Sequence, residues 1–206
     1  MARTAGSAAP FVPATGDLDE LAAAAAGCTG CPLYQGTTQT VFGQGRSRAR
    51  LMLVGEQPGD VEDKKGRPFV GPAGAVLWAC VEEAGIDRAA LYATNAVKHF
   101  KHEDRGPRRL HKKPTSGEVE ACHPWLDAEV AAIRPKVIVA LGATAARAVL
   151  GRTIGIAASR ELVHEAMGAS TVVTYHPSAV LRADERAAEV RAALVADLAR
   201  AWDLAH

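Results

Sequence analysis

Four short runs of apolar residues recur along this chain, and each is stopped by glycine, asparagine or histidine. They are ARLMLVG (residues 49–55), LYATNAV (91–97), KVIVALG (136–142) and STVVTY (170–175). Their apolar residues are nearly continuous rather than alternating, which suits strands buried on both faces of a parallel sheet. Helical patterns fill the gaps. An Ala-rich segment over 17–26 precedes the first run, and residues 72–84 carry Leu77, Cys80 and Val81 among their apolar positions. After Thr115, which forms a capping box with Glu118, Val119, Cys122, Leu126, Val130 and Ile133 recur at steps of three and four and predict one buried helical stripe. A short helix closed by Gly151 follows the third run, and a long Ala/Arg/Glu helix occupies about 184–201. Alternating strands and helices predict a three-layer α/β/α sandwich around a central four-stranded parallel sheet. Residues 1–16, small and broken by proline, read as a loose arm, and 17–206 as a single domain.

In such a sheet a ligand sits beyond the carboxyl ends of the strands. The first run is followed by Gly55-Glu56-Gln57-Pro58-Gly59-Asp60, the second by Asn95 and a basic stretch, and the fourth by His176-Pro177-Ser178. Phe69 lies in a Gly/Pro frame, isolated from other large apolar residues, where an aromatic can stack on a planar base. The Asn95 amide offers a donor and an acceptor together. Taken singly, each set has a bland reading as well: a tight turn with solvated acids, a turn-capping amide, a structural histidine.

Charge matters through its distribution. The net charge is +1, yet residues 98–113 hold seven Lys/Arg against Glu103 and Asp104. Such a run is either a solvated loop or a phosphate-binding surface. It contains His111, preceded by Arg108 and Arg109 and followed by Lys112 and Lys113. No apolar run approaches the roughly 18 residues of a membrane span, and the N-terminus lacks the apolar centre of a signal peptide. A cytoplasmic location with reduced thiols is therefore expected, and a monomer. Cys28 and Cys31 have chelating spacing, and Cys122 begins the buried stripe; thiolates favour iron–sulfur clusters or zinc. Cys80 lies on an apolar helix face and reads as core. A plain nucleotide-binding protein would need a phosphate loop, and GxxxxGK[ST] does not occur.

The segments GEQPGDVEDKKGRPFVGPAG, TNAVKHF, EACHPWL and HPSAVLR, in this order, resemble the uracil-DNA glycosylase superfamily, specifically its iron–sulfur branch, over about residues 27–182. GEQPGD, together with an Arg-Arg-apolar-His stretch, resembles the DNA-cross-linking UdgX family, whose Lys-Arg-Arg-Ile-His here reads Pro107-Arg108-Arg109-Leu110-His111. The resemblance implies a glycosylase that excises uracil from single-stranded or base-flipped DNA and is trapped as a covalent His–C1′ adduct. In it Phe69 would stack on uracil, Asn95 would read its edge and His176 would hydrogen-bond its carbonyl. Gln57, Asp60 and Arg109 would serve the substrate pocket, Glu56 would support the reactive centre, and His111 would be the nucleophile. Arg108, Lys112 and Lys113 would meet DNA phosphates. It further implies a four-iron, four-sulfur cluster on Cys28, Cys31, His99 and Cys122; relatives that release uracil usually have cysteine at the position of His99. The same Cys₃His set could hold zinc. The other readings open at this stage are a turnover glycosylase leaving an abasic site and a non-catalytic binder of uracil-containing DNA.

Overall fold

The computed structural model describes residues 6–206. Six strands form one mixed sheet: β1 (Gln44–Gly45), β2 (Leu51–Gly55), β3 (Tyr92–Asn95), β6 (Val137–Leu141), β7 (Val163–Ala166) and β8 (Ala169–Thr174), in the order β1-β3-β2-β6-β8-β7. The four expected strands, β3, β2, β6 and β8, form its parallel centre. The two edge strands run antiparallel and enlarge the expected sheet from four strands to six. Their sequences explain the omission: β1 has two residues, and β7 is half exposed and breaks the apolar run that marks a buried strand.

The period of two within each central strand divides the core. Met52, Val54, Ile138 and Ala140 face one layer, with α1 (Leu18–Ala25), α4 (Ser116–Ile133) and α5 (Ala143–Leu150). Leu51, Leu53, Val137, Val139 and Leu141 face the other, with α3 (Pro72–Glu83) and α8 (Ala187–Ala205). Helix ends follow the sequence closely. Asp17 caps α1 by accepting from Asp19 N at 2.8 Å and Glu20 N at 3.0 Å. Thr115 and Glu118 close the expected box on α4, and all five residues of the predicted stripe are buried. Three short helices complete the chain: α2 (Asp60–Lys65), α6 (Ile156–Ser159) and α7 (Pro177–Leu181).

In the N-terminal arm, Ala8 is buried in the core and its N–H donates to Ala121 O at 2.7 Å. A small side chain is what allows that close approach to α4; residues 1–5 of the expected arm lie outside the described residues. The basic stretch is not a loop. It is a hairpin, β4 (His102–Arg105) and β5 (Arg108–His111), turned at Gly106, whose φ of +58° suits a residue without Cβ. No helix among the described residues is long and apolar enough to cross a membrane.

Candidate active site

The chain runs outward from β2 to β3 on one side and to β6 and β8 on the other, so the strand order reverses at β2. A cavity of 840 Å³ opens there, beyond the carboxyl ends of β2, β3, β6 and β8. Glu56, Gln57, Asp60, Phe69, Asn95, His111, Lys113 and His176 all line it. Three polar sets far apart in sequence therefore meet as the strand ends predict.

Phe69 and Asn95 form the inner wall. A methyl group on Gly55 would fall 2.3 Å from Asn95 Oδ1 and 2.7 Å from Phe69 Cζ, so only glycine at the end of β2 lets the two side chains meet. Phe69 is held in the left-handed region (φ 55°), with Trp78 Nε1–H donating to its carbonyl at 2.8 Å and the two rings edge to face at 6.1 Å. Over-determination of this kind is what keeps a non-glycine residue in so sparsely populated a conformation. Lys98 Nζ binds the Asn95 backbone carbonyl at 2.8 Å, while the side-chain amide faces the cavity.

His176 caps α7. Its Nδ1 accepts from Ser178 N–H at 3.2 Å, which leaves the proton on Nε2 as a donor. Burial, with Arg182 and His111 adding positive charge nearby, pulls its pKa down to about 4. A neutral ring that donates through Nε2 is therefore its state near pH 7.

His111 ends β5 and its side chain is half exposed (51%) at the cavity rim. Gln57 fixes the ring's surroundings. Its Oε1 accepts from Lys101 N at 3.1 Å, and its Nε2 donates to Lys112 O at 3.0 Å and Lys101 O at 3.2 Å. A flipped amide would set oxygen against two carbonyls, so Nε2 faces them, and it also lies 2.9 Å from His111 Nε2. Glu56 Oε1 lies 3.6 Å from the same nitrogen, and its other oxygen accepts from the Thr144 hydroxyl.

Arg109 points to the opposite side of β5 from Arg108 and is fully engaged. It donates to Asp60 Oδ1 and to Asp63 Oδ2, each at 2.6 Å, and lies over the Phe100 ring at 5.4 Å. Arg109 and Asp60 form a clamp between β5 and α2; Asp60 also accepts from Lys64 at 2.6 Å. Asp63 is completely buried. Burial alone would raise its pKa, but donors on Thr38 and Arg109 outweigh that and hold it below the usual range. The apparent basic surface shrinks accordingly. Lys98 pairs with Glu129, Lys101 with Glu118 and Lys112 with Glu103, leaving Arg105, Arg108 and Lys113 without ion pairs among the described residues. Residue-by-residue reading missed Thr144, Asp63 and Glu129. Thr144 was within reach of it, because it opens the helix directly after β6.

Cys28, Cys31, His99 and Cys122 are all buried on one face of the sheet, whereas Cys80 belongs to the core of the other. Trp125 Nε1–H points at Cys28 Sγ and Lys98 N–H at Cys122 Sγ, each at 3.3 Å. Burial, partly offset by Lys98, pushes the Cys122 thiol up to about 12, and burial raises Cys31 as well; Cys28 adds to both. Without a cation the Cys122 and Cys31 sulfurs stay protonated. Thr40 donates its hydroxyl to Ala25 O at 3.0 Å and so accepts from His99 Nε2–H at 3.0 Å, which puts the lone pair of His99 on Nδ1. Burial holds His99 neutral, with a pKa of about 4. No three His, Cys, Asp or Glu side chains among the described residues gather closely enough for one metal ion. Buried thiols with N–H groups aimed at two of the sulfurs are the kind of donor set an iron–sulfur cluster uses.

Comparison with known proteins agrees with the site. The model of the uracil DNA glycosylase superfamily matches residues 42–199. A type-4 uracil-DNA glycosylase of Thermotoga maritima is 40% identical over 176 residues, covering 84% of this chain and 87% of the relative. A type-4 enzyme of Pyrobaculum aerophilum is 36% identical, covering 81% and 85%, and a type-5 enzyme of the same organism is 33% identical, covering 65% and 63%. The reversal of strand order, the pocket at the strand ends and the matched span all lead to one assignment: this chain belongs to the uracil DNA glycosylase superfamily.

Proposed function

We propose that this protein excises uracil from DNA and ends the reaction covalently attached to the sugar through His111. The observation that carries the second half is the placement of His111 on the cavity rim, with Nε2 beside Gln57 and Glu56. The likeness to type-4 enzymes carries the first half.

The target base must leave the stack, at a cost of a few kcal/mol that falls on single strands. Arg105, Arg108 and Lys113 supply the unpaired positive charge for flanking phosphates. Phe69 stacks on the base and the Asn95 amide reads its edge. As the N-glycosidic bond breaks, its electron pair stays with uracil, and His176 Nε2–H donates to the carbonyl oxygen where charge collects. A fixed donor in a dry pocket stabilises that charge without reorganising. Glu56 faces the cationic sugar. A ring-nitrogen lone pair of neutral His111 then attacks C1′ and forms the new N–C bond. The resulting imidazolium sheds its remaining N–H proton, and the departing uracil takes one up. An alkylated imidazole is a poor leaving group, so the protein stops after one event.

Cys28, Cys31, His99 and Cys122 would hold a four-iron, four-sulfur cluster. When bound it would tie the segment before β1, the end of β3 and α4 into one frame; the chemistry on the base belongs to the protein side chains.

The test is denaturing electrophoresis and mass spectrometry after incubation with a short uracil-bearing strand. A band of protein plus DNA minus uracil is expected, and His111→Ala should give free uracil and an abasic site instead. Catalytic turnover by the parent protein without an adduct would establish the second reading, a conventional glycosylase, which the likeness to type-4 enzymes also favours. Unchanged substrate would remove both.

A further inference from the structure

Beneath the pocket lies an ion pair that the reaction does not touch. Lys98 and Glu129 are 1% and 0% exposed and meet at 2.5 Å. Every hydrogen-bonding capacity of the ammonium is used: Glu129 Oε2, Thr94 Oγ1 at 2.7 Å and the Asn95 carbonyl at 2.8 Å. Glu129 Oε1 in turn accepts from Tyr92 OH at 2.9 Å, Thr94 Oγ1 at 2.9 Å and Gly43 N at 3.0 Å. Buried pairs of this type are weak stabilisers compared with apolar side chains of equal volume. A fully satisfied polar network does fix one geometry, because any displacement leaves a charge unpaired in a low-dielectric interior. The network spans α4, the residue before β1 and nearly all of β3, and its one contact toward the cavity is the backbone of Asn95.

We infer that Lys98 and Glu129 are positioning residues: they set the height and tilt of the Asn95 amide in the pocket, acting through the Asn95 carbonyl and Thr94. The inference rests on the reading that Asn95 contacts the base. Lys98 touches neither substrate nor reacting atoms, so its effect must pass through the strand.

The sequence offers a direct probe, since Asn95 is its single asparagine. Protein labelled only with [¹⁵N]asparagine gives one side-chain NH₂ pair in a ¹H–¹⁵N spectrum. Lys98→Met/Glu129→Gln removes both charges together and keeps chain length at each position. In the double variant the NH₂ pair should shift and broaden before any ligand is added. The free-uracil concentration at half-saturation should rise tenfold or more, and single-turnover uracil release should slow by a similar factor. Leu194→Ala, a core truncation on the other face of the sheet, should lower stability and leave the pair where it is. An NH₂ pair identical to the parent's in the double variant, or an equal shift in Leu194→Ala, overturns the inference. Should the double variant not fold, Thr94→Val decides, because it removes the hydroxyl shared by both charges; an unmoved pair there overturns the inference as well. Absence of both uracil release and a uracil-induced shift in the parent would strike the functional reading instead, while the ligand-free comparison would still judge the ion pair.

Discussion

Arg109→Ala should uncouple trapping from excision. The guanidinium makes two 2.6 Å charge-assisted bonds, and its side chain is 18% exposed. The two halves of the clamp are unequal. Asp60 is 35% exposed and shared with Lys64, so its pair is screened and contributes little. Asp63 is fully buried and is left with only Thr38 N as donor, at 3.0 Å. A hydrogen bond to a charged group contributes about 1.5–3 kcal/mol, so docking of the hairpin over the cavity should weaken by about 2–3 kcal/mol. At 1.4 kcal/mol per tenfold, that is a roughly 30- to 150-fold smaller equilibrium constant for the docked hairpin, which for a marginally docked hairpin carries over to the population with His111 in place. The base of the hairpin keeps its Gln57 bonds to Lys101 and Lys112, so Phe69, Asn95 and His176 stay as they are. Rapid-quench reactions on a uracil-bearing oligonucleotide, run on denaturing gels, report both quantities: the covalent band, and alkali-labile abasic sites. The covalent rate should fall by one to two orders of magnitude while total excision changes by less than about threefold. An equal fall in both, or an unchanged covalent rate, would refute the clamp as a device for placing His111.

Gly55→Ala should abolish excision and leave the fold intact, since its Cβ would collide with Asn95 and Phe69 inside the pocket; loss of uracil-dependent protection with a preserved circular-dichroism spectrum checks this. Purified protein should contain iron and acid-labile sulfide with broad visible absorption, and Cys122→Ser should lose it, whereas colourless protein with stoichiometric zinc would contradict the cluster. Acid should destabilise the fold through His176. Its folded pKa of about 4 lies below the unfolded 6.5, so the unfolded chain binds the extra proton between them. The stabilisation is complete above pH 6.5 and is lost as pH falls toward 4, by ~3 kcal/mol at most. Urea midpoints at pH 7 and 4.5 should show the loss, and His176→Asn should reduce it.

The central sheet was legible because four apolar runs are long enough to be buried on both faces, and the pocket because chemistry at strand ends converges by topology alone. Asn95 and His176 follow from that rule. The hairpin was not legible: β4 and β5 are mostly exposed, so no apolar period distinguishes them from a loop, and only Gly106-Pro107 hints at a turn. Lys98 looked like one more cation of a basic surface. Its burial depends on Glu129, thirty-one residues away in α4, and no local pattern relates the two. The ion pairs of Arg109 were out of reach for the same reason, since its partners Asp60 and Asp63 come from a short helix whose charges read as solvated.

The hairpin shares no ladder with the main sheet. A lineage could therefore shed residues 102–111 for a tight turn and keep every wall of the base pocket, or acquire them by a single insertion. If His111 forms the proposed adduct, adduct formation and base excision would then be separately heritable, with Arg109 and Gln57 as the two fasteners that a graft of the hairpin would need to carry across.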